Sequence, residues 1–341
     1  MLHQTRSLLA GLLLSLVLVG CSSAGLGRSK SLDPIDYVDP YMGNISHLLV
    51  PTFPTVHLPN GMMRVHPQRT DYASEQIAGL PVILTSHRGV SAFAISPLSA
   101  LSDSLPEVSR YSYDSESVRP YLYEVTLLEP EVRVRYAPSY RSAIYQFNFE
   151  RAKAGHHLVF STPDGELVAS GKNLFGYQQL EDSTRVYLYA ELEAEPTERL
   201  VRDTLTGRLA TVDGVARGNT LCLSFAKQGV TLRYGVSYIS VEQAKRNVER
   251  EIQSFEVNLV AKYGRNEWSK ALDKVEIEGG TPEERRVFYT SLYRTYERMI
   301  CLSEDGRYWS GFDKKVHDDE GVPFYTDDWL WDTYRATHPL R

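Results

Sequence analysis

Short alternations of apolar and polar residues dominate the first two thirds of the chain. Segments such as "YLYEVTLL" and "EVRVRYAP" have the two-residue period of half-buried strands, so that Tyr121, Tyr123 and Val125 share one face. Turn-forming residues separate these segments, and no helical pattern lies between them. The pattern therefore predicts a mainly β fold that begins with an N-terminal antiparallel β-sandwich over residues 37–240.

The hydrophobic period changes at Ser240, which starts "SVEQAKRNVEREIQSF" with a polar cap. One helical face of this segment carries apolar side chains at Val241, Ala244, Val248, Ile252 and Phe255. A second helical stretch, "NEWSKALDKV", is expected after a break at Gly264. Residues 241–275 are therefore predicted to be a helical linker.

A third helix is predicted in "GGTPEERRVFYTSLYRTYERMI", with Thr281 as N-cap, Pro282 in the first turn and Glu284 completing a capping box. Its predicted apolar stripe consists of Phe288, Leu292, Tyr296 and Met299. Asp305 and Gly306 behind it have the residue types of a tight hairpin turn. The closing "DDWLWDTYRATH" has helical propensity without a complete amphipathic pattern.

The N-terminus has the pattern of an export signal. Arg6 precedes an apolar run too short to span a bilayer, so residues 1–20 are interpreted as a removable signal peptide. The tetrad "LVGC" resembles the bacterial lipobox, which predicts lipidation of Cys21 and a membrane anchor; the alternative is a signal peptide with an incidental cysteine. Residues 21–36 would be a flexible tether. The expected location is periplasm, outer membrane or cell surface, as a bacterial lipoprotein.

Composition narrows the classes of function. The 341 residues carry a formal net charge of -6 without a basic stripe, which argues against a nucleic-acid partner. Cys222 and Cys301 lie in apolar segments and are expected to be buried thiols, not parts of a disulfide framework. Phosphate-binding, dinucleotide, nucleophile-elbow and zinc-helix motifs are absent from the sequence.

Three weaker signals can each be interpreted either as a ligand-binding feature or as an ordinary structural feature. His87 and Arg88, at a strand end before a glycine, could bind the hydroxyls of a ligand, or they could form a solvated turn. The acidic run "HDDEG" at 317–321 lacks the spacing of a calcium loop and favours a solvated loop. The 22 tyrosines suit sugar stacking on a sheet face, but tyrosine is also an ordinary strand former.

The strongest local signal is the aromatic and acidic cluster "FYTDDWLWDTYR" near the end of the chain. A pyranose needs an apolar surface on which its ring face stacks and an acceptor for its hydroxyls, and Trp331 and Asp332 supply both. The alternative is a helix N-terminus capped by Asp327 or Asp328. Both readings stay open on the residues alone.

Five segments are similar to motifs of one enzyme family. They are "YVDPYMGN" (37–44), "PTFPTVHLPNGMMRVHP" (51–67), "FYTSLYRTYERM" (288–299), "DGRYWS" (305–310) and "LWDTYRATHPL" (330–340). In this order they resemble glycoside hydrolase family 92, a family of bacterial calcium-dependent exo-α-mannosidases. The resemblance implies an N-terminal β-sandwich followed by a C-terminal (α/α)6 barrel.

The resemblance also implies a substrate and a site. Trp331 and Asp332 match the Trp-Asp pair at the terminal-sugar pocket of the family, whereas His87 and Arg88 have positional support only. The expected activity is an inverting exo-α-1,2-mannosidase acting on glycoprotein N-glycans, with a mannose-containing glycan as partner. Residues 68–97 depart from the family because they lack the tryptophan-rich loop of well-studied members.

A larger departure concerns the catalytic machinery. The carboxylates and calcium ligands of family members lie beyond the equivalent of Arg341, so residues 276–341 are expected to be the truncated start of the barrel. Calcium is expected for a full-length enzyme, but no catalytic residue and no metal ligand is assigned in this chain. The prediction is an N-terminal part that is inactive alone. A stand-alone carbohydrate-binding lipoprotein is the alternative, and an asparagine-linked glycan amidase finds no nucleophilic cysteine context.

Overall fold

The structure is a computed structural model, and it divides the chain into Met1–Asp33 and Pro34–Arg341. The described residues are 32–46, 48, 51–69, 74–86, 89–102, 105, 109–150, 155–203, 205–326, 328 and 330–340. The predicted signal peptide and the lipidation site Cys21 therefore lie outside the described residues. The account below concerns the unit Pro34–Arg341.

Strands make up most of this unit. In chain order they are β1 (Val56–His57), β2 (Arg64–Val65), β3 (Gln76–Ile77), β4 (Leu80–Leu84), β5 (Ser91–Leu98), β6 (Tyr111–Arg119), β7 (Leu122–Leu127), β8 (Val132–Pro138), β9 (Ser142–Phe149), β10 (His157–Ser161), β11 (Gly165–Ser170), β12 (Asn173–Gln179), β13 (Arg185–Leu192), β14 (Glu198–Arg202), β15 (Leu209–Thr211), β16 (Ala216–Gly218), β17 (Thr220–Ser224), β18 (Gly229–Ser237), β19 (Ile300–Cys301), β20 (Arg307–Ser310), β21 (Lys315–Asp318) and β22 (Tyr325–Thr326).

Two large sheets contain most of these strands. The ten-stranded sheet has the order β16-β11-β12-β13-β18-β9-β8-β7-β6-β3, and the six-stranded sheet has the order β15-β14-β17-β10-β5-β4. Their pairings are antiparallel. Small two-stranded sheets pair β1 with β2, β19 with β22 and β20 with β21.

The main core lies between the two large sheets and combines apolar side chains from both. Buried tyrosines of the ten-stranded sheet reach across it: the hydroxyl of Tyr145 donates to Pro81 O at 2.9 Å, and that of Tyr234 donates to Val82 O at 2.7 Å. A buried hydroxyl that finds an acceptor avoids the cost of desolvation without a partner. The predicted mainly β fold with an antiparallel sandwich is confirmed.

The other face of the ten-stranded sheet packs against helices. These are α1 (Val241–Glu251), α2 (Val257–Leu272) and α3 (Pro282–Thr295), and two single-turn helices follow, α4 (Leu330–Thr333) and α5 (Thr337–Leu340). Ile144, on the opposite side of β9 from Tyr145, shares a second core with Trp268 of α2 and Tyr293 of α3. Short 3₁₀ turns occupy Pro34–Tyr37 and Glu181–Ser183. No helix in the described ranges is long and apolar enough to cross a membrane.

The predicted break at Gly264 is wrong, because α2 runs through it without interruption. A Cβ at Gly264 would lie 3.0 Å from Tyr121 Cβ and 3.1 Å from a methyl of Leu58. The glycine therefore lets the helix approach the sheet closely. The glycine at this position is therefore explained by close packing and not by a turn.

The capping box of α3 is confirmed, because Thr281 and Glu284 exchange both hydrogen bonds with each other's backbone N–H. The predicted apolar stripe is only partly right. Buried positions of α3 are Tyr289, Thr290, Leu292 and Tyr293, and the helix ends before Tyr296 and Met299. Of the predicted stripe only Leu292 is buried, because α3 packs on two sides: Tyr289 stacks on Tyr37 of the N-terminal segment, and Tyr293 contacts Trp268 of α2.

The predicted hairpin turn at Asp305 and Gly306 is confirmed. Both residues have positive φ, at 55° and 79°, and Glu304 and Arg307 exchange backbone hydrogen bonds around them. This is the geometry that an Asp-Gly pair favours. The bounds of the predicted domains and the start of a helical barrel stay predictions.

Candidate functional site

The N-terminal segments that carry the family resemblance meet on helix α3. The guanidinium of Arg294 donates to Phe53 O at 2.6 Å, to Pro40 O at 2.8 Å and to Met42 O at 3.2 Å, and it pairs with Glu297 at 2.6 Å. One half-buried cation thus holds the backbone at Pro40, Met42 and Phe53. The loop that leads to the candidate site is held by a side chain from the other end of the chain.

A buried aromatic cluster holds the next part of this segment. Trp268 Nε1 donates to His57 O at 2.7 Å, and the Tyr293 hydroxyl donates to Thr55 O at 2.5 Å. The ring of His57 stands edge-on to Trp268, and its Nδ1 lies 2.9 Å from Leu58 O. Burial, together with the neighbouring arginines, lowers the pKa of His57 to about 3, so this histidine is neutral at physiological pH.

A cavity of about 740 Å³ opens between the sandwich and the hairpin of β20 and β21. Trp309 and Phe312 contribute rings from the hairpin side, and Arg64, Ser86 and Glu181 contribute polar groups from the sandwich side. The volume is in the range of small-molecule sites, which combine an apolar lining with a few polar groups. The cavity can therefore accept a ligand with both an apolar face and hydroxyl groups.

Two features of the lining concern hydrogen bonding. Arg64 is buried, and its Nη1 donates to Glu297 O at 3.3 Å. The indole Nε1 of Trp309 is buried without an acceptor among the described residues. An unsatisfied buried donor costs about 1–3 kcal/mol, so an acceptor that reached this nitrogen would gain a favourable contact.

A smaller recess adjoins the cavity through Arg64 and Ser86, which line both. In it the rings of Phe53 and His66 stack at 4.5 Å and are nearly parallel. Burial and two nearby arginines lower the pKa of His66 to about 4, so this imidazole is also neutral. Gly89 lies against it, because a Cβ there would approach His66 Nε2 to 3.0 Å.

The predicted residues His87 and Arg88 lie outside the described residues, but their neighbours are placed. Ser86 lines the cavity and the recess, and Gly89 lines the recess. The described residues on both sides of His87 and Arg88 therefore lie at the candidate site. The assignment of His87 and Arg88 as substrate-binding residues stays a prediction.

Trp331 and Asp332 lie in helix α4, and Trp331 is not part of the cavity lining. The side chain of Trp331 is 85% exposed, and its ring is 6.4 Å from that of Tyr334. Asp328 accepts a hydrogen bond from Thr333 Oγ1 at 2.8 Å. The side chain of Asp332 lies outside the described structure, and the predicted terminal-sugar pocket stays a prediction.

In the ranges that the structure describes, no three His, Cys, Asp or Glu side chains come together as metal ligands. In the acidic run, His317 Nε2 lies 2.9 Å from Asp313 Oδ2, and Asp319 Oδ1 accepts from Gly321 N at 3.0 Å. These contacts serve the loop itself. The calcium expected from the family resemblance has no ligand set in the described part, and no chemical step is assigned to it.

Sequence reasoning missed Arg64 and Trp309 as site residues. Both stand inside motifs that carry the family resemblance, "HLPNGMMRVHP" and "DGRYWS". A single tryptophan in a hairpin has no periodic signal that separates a cavity wall from a core position. The motif positions themselves were the only available signal.

Comparison with known families gives two matches that together span most of the chain. Residues 37–237 match the N-terminal domain of glycosyl hydrolase family 92, and residues 243–341 match the catalytic domain of the same family. No curated protein matches the chain.

Solved structures give the same family. An inverting mannosidase of family GH92 from Bacteroides thetaiotaomicron is 28% identical, with a TM-score of 0.79 over 92% of this chain and 46% of that chain. A family GH92 α-mannosidase from the same organism, in complex with mannoimidazole, is 22% identical, with a TM-score of 0.78 over 91% of this chain and 46% of that chain. The chain spans about half the length of these solved relatives.

Proposed function

Because this chain belongs to glycosyl hydrolase family 92, we propose that it forms the N-terminal part of an exported, inverting exo-α-1,2-mannosidase that acts on glycoprotein N-glycans. The observation that carries the proposal is the match to both domains of the family over residues 37–237 and 243–341. The 28% identical relative described as an inverting mannosidase supports the reaction type. We extend the proposal to a lipid anchor at Cys21 and to calcium in a full-length enzyme.

The cavity is the glycan-binding part of this chain. The indole of Trp309 offers an apolar face on which a pyranose ring stacks. Arg64 and Ser86 supply donors to the sugar hydroxyls, and Glu181 supplies an acceptor. These residues bind and orient a mannose-terminated glycan.

The chemical step needs groups that are not assigned in this chain. An inverting glycosidase uses one carboxylic acid to protonate the leaving oxygen and one carboxylate to activate water, with room for that water between them. In the part of the chain that the structure describes, we assign no such pair. The polypeptide alone should therefore bind a glycan and release no mannose.

Replacing Trp309 with alanine should weaken the binding of a mannose-terminated oligosaccharide at least about fivefold, or about 1 kcal/mol, because the stacking surface is lost. Isothermal titration calorimetry with the purified chain measures the effect. Tyr263→Ala, at an exposed aromatic residue of α2, is the control and should bind as the unaltered chain does. If the unaltered chain does not bind the oligosaccharide, the cavity is not a glycan site.

Asp332→Ala in a complete enzyme should lower kcat/KM at least about tenfold, or about 1.4 kcal/mol. The reason is that a carboxylate bound to sugar hydroxyls forms charge-assisted hydrogen bonds. If Asp332 only stabilises helix α4, its loss should cost about 1 kcal/mol of stability and leave catalysis nearly intact. Measuring Tm and kcat/KM on this one variant separates the two roles, and a destabilised but fully active variant contradicts the sugar-binding role.

A further inference from the structure

A buried carboxylate lies at the base of the hairpin formed by β20 and β21. Glu304 is fully buried, and it exchanges backbone hydrogen bonds with Arg307, the first residue of β20. A carboxylate that leaves water costs free energy unless hydrogen bonds or a cation compensate for the lost hydration. Burial raises the pKa of Glu304, although hydrogen bonds from neighbouring groups oppose this shift. The groups that bind this carboxylate therefore decide whether the hairpin base is stable.

Both oxygens of the Glu304 carboxylate accept hydrogen bonds, and the two donors belong to different elements. Tyr238 N, directly after strand β18 of the sandwich, donates to Oε1 at 3.0 Å. Asn247 Nδ2, on helix α1, donates to Oε2 at 2.8 Å. Glu304 therefore joins the hairpin base both to the sandwich and to the helix that packs on it.

Two buried amides of α1 extend this connection. Asn247 Nδ2 also donates to Val236 O of β18 at 2.8 Å, and its Oδ1 accepts from Gln243 Nε2 at 3.0 Å. Gln243 Nε2 donates in addition to Oδ2 of Asp305 at 2.9 Å. Both amide side chains are buried. Buried polar groups that are hydrogen-bonded to one another hold the elements that they join in one arrangement.

Arg141 holds the residue before Glu304. Its Nε donates to Ser303 O at 2.8 Å, and its Nη1 pairs with Glu251 of α1 at 3.4 Å. Arg141 lies in the turn between β8 and β9. The sandwich therefore contacts the hairpin base at a second point.

The hairpin needs contacts of this kind. In the described structure β20 and β21 form a two-stranded sheet of their own. A two-stranded hairpin is at best marginally stable in water without further packing. The same hairpin lines one side of the cavity with Trp309, Ser310, Gly311 and Phe312, and Tyr238 lines the cavity from the sandwich. The hydrogen bonds at the hairpin base therefore connect two walls of one cavity.

We propose that Glu304 is a positioning residue of the candidate glycan site, because it fixes the hairpin wall with Trp309 relative to the sandwich wall at Tyr238. The inference rests on the proposed function of the cavity. Glu304 is not part of the cavity lining, so it acts through the residues that it holds. A displacement of a binding group by about 1 Å is enough to weaken a preorganised site.

The test replaces Glu304 with glutamine in the purified chain. Glutamine has nearly the same shape, but its single oxygen accepts from one of the two donors while its amide N–H groups face the other. We expect amide hydrogen exchange of residues 307–318, followed by mass spectrometry, to become at least about tenfold faster. The dissociation constant for α-1,2-mannobiose, measured by isothermal titration calorimetry, should rise at least about fivefold.

Asn247→Ala is the second variant and decides the question if the glutamine variant does not fold. It removes the donor on α1 and leaves the hairpin sequence unchanged, so the same local increase in exchange is expected. Glu191→Gln is the matched control, because it makes the same chemical change at a carboxylate that pairs with Arg233 between β13 and β18. Exchange of residues 307–318 and the affinity for mannobiose should be unaltered in this control.

Leu167→Ala controls for a general loss of stability. Leu167 lies in the core at β11 and does not line the cavity, so its replacement should lower Tm without a selective effect on the hairpin or on the affinity for mannobiose. A residue with a merely structural role would behave like Leu167. Glu304→Gln should differ from it in both measurements.

If exchange of the hairpin is unchanged in the Glu304 and Asn247 variants, or rises equally over the whole chain, the proposal is overturned. Unchanged affinity in a variant whose hairpin exchanges faster also overturns it, because the position of the hairpin would then not matter to the site. If the unaltered chain binds no mannobiose, the proposed function of the cavity fails. The exchange measurement uses no glycan, and it then decides by itself whether Glu304 positions the hairpin.

Discussion

Replacing Arg294 with methionine should lower the free energy of unfolding by about 1.5–3 kcal/mol, the range for losing hydrogen bonds made by a charged group. The Arg294 side chain is 17% exposed, and its guanidinium donates to three backbone carbonyls as well as to Glu297. Methionine has a similar length and retains helix propensity, but it donates no hydrogen bond. The carbonyls of Phe53, Pro40 and Met42 would then lose this donor.

Urea denaturation followed by circular dichroism measures this loss. Arg286→Met is the matched control, because Arg286 is on the same helix and exposed, and its replacement should cost less than about 0.5 kcal/mol. The recess beside the cavity should lose order as well, because Phe53, whose carbonyl Arg294 holds, lines it. A change of less than about 1 kcal/mol in the Arg294 variant would mean that the cation does not hold the N-terminal segment.

The sequence predicts those parts of the fold that depend on local pattern. Tyr123 and Val125 alternate in strand β7 and lie in the core between the sheets, as predicted, and Asp305–Gly306 forms the expected hairpin turn. Tyr121 does not share their face, because it precedes the strand and packs in the second core beside the helices. The helix break predicted at Gly264 is wrong because this glycine serves a close contact with Tyr121, which is far away in the sequence. A glycine that breaks a helix and one that allows close packing look alike without the neighbour.

The candidate site was less predictable for the same reason. The cavity arises where a hairpin from residues 307–318 faces the sandwich, and no local pattern specifies that arrangement. Trp309 and Arg64 are more than two hundred residues apart in sequence and line one cavity. Both residues lie in the family motifs. Their roles depend on tertiary contacts, and the hydrophobic period of a sequence does not predict which distant residues make such contacts.

Acidification should destabilise the chain through two buried histidines. The lowered pKa values, about 3 for His57 and about 4 for His66, result first from burial and then from nearby arginines. Unfolded histidine takes up a proton below about pH 6.5, whereas the folded side chains stay neutral until the pH approaches their lowered pKa. The stabilisation is therefore complete above pH 6.5 and is lost as the pH falls from 6.5 towards 4 for His66 and towards 3 for His57.

Between about pH 7.5 and pH 5, each histidine should remove about 2 kcal/mol from the free energy of unfolding, and together about 4 kcal/mol. The double variant His57→Phe/His66→Phe keeps two aromatic rings and has no proton to bind, so its stability should fall by about 4 kcal/mol less over this range. Urea midpoints at the two pH values measure the difference. His317→Phe, at an exposed position of the hairpin, should change the pH effect by less than about 1 kcal/mol. If the double variant lost as much stability as the unaltered chain, the acid sensitivity would belong to the carboxylates and not to these imidazoles.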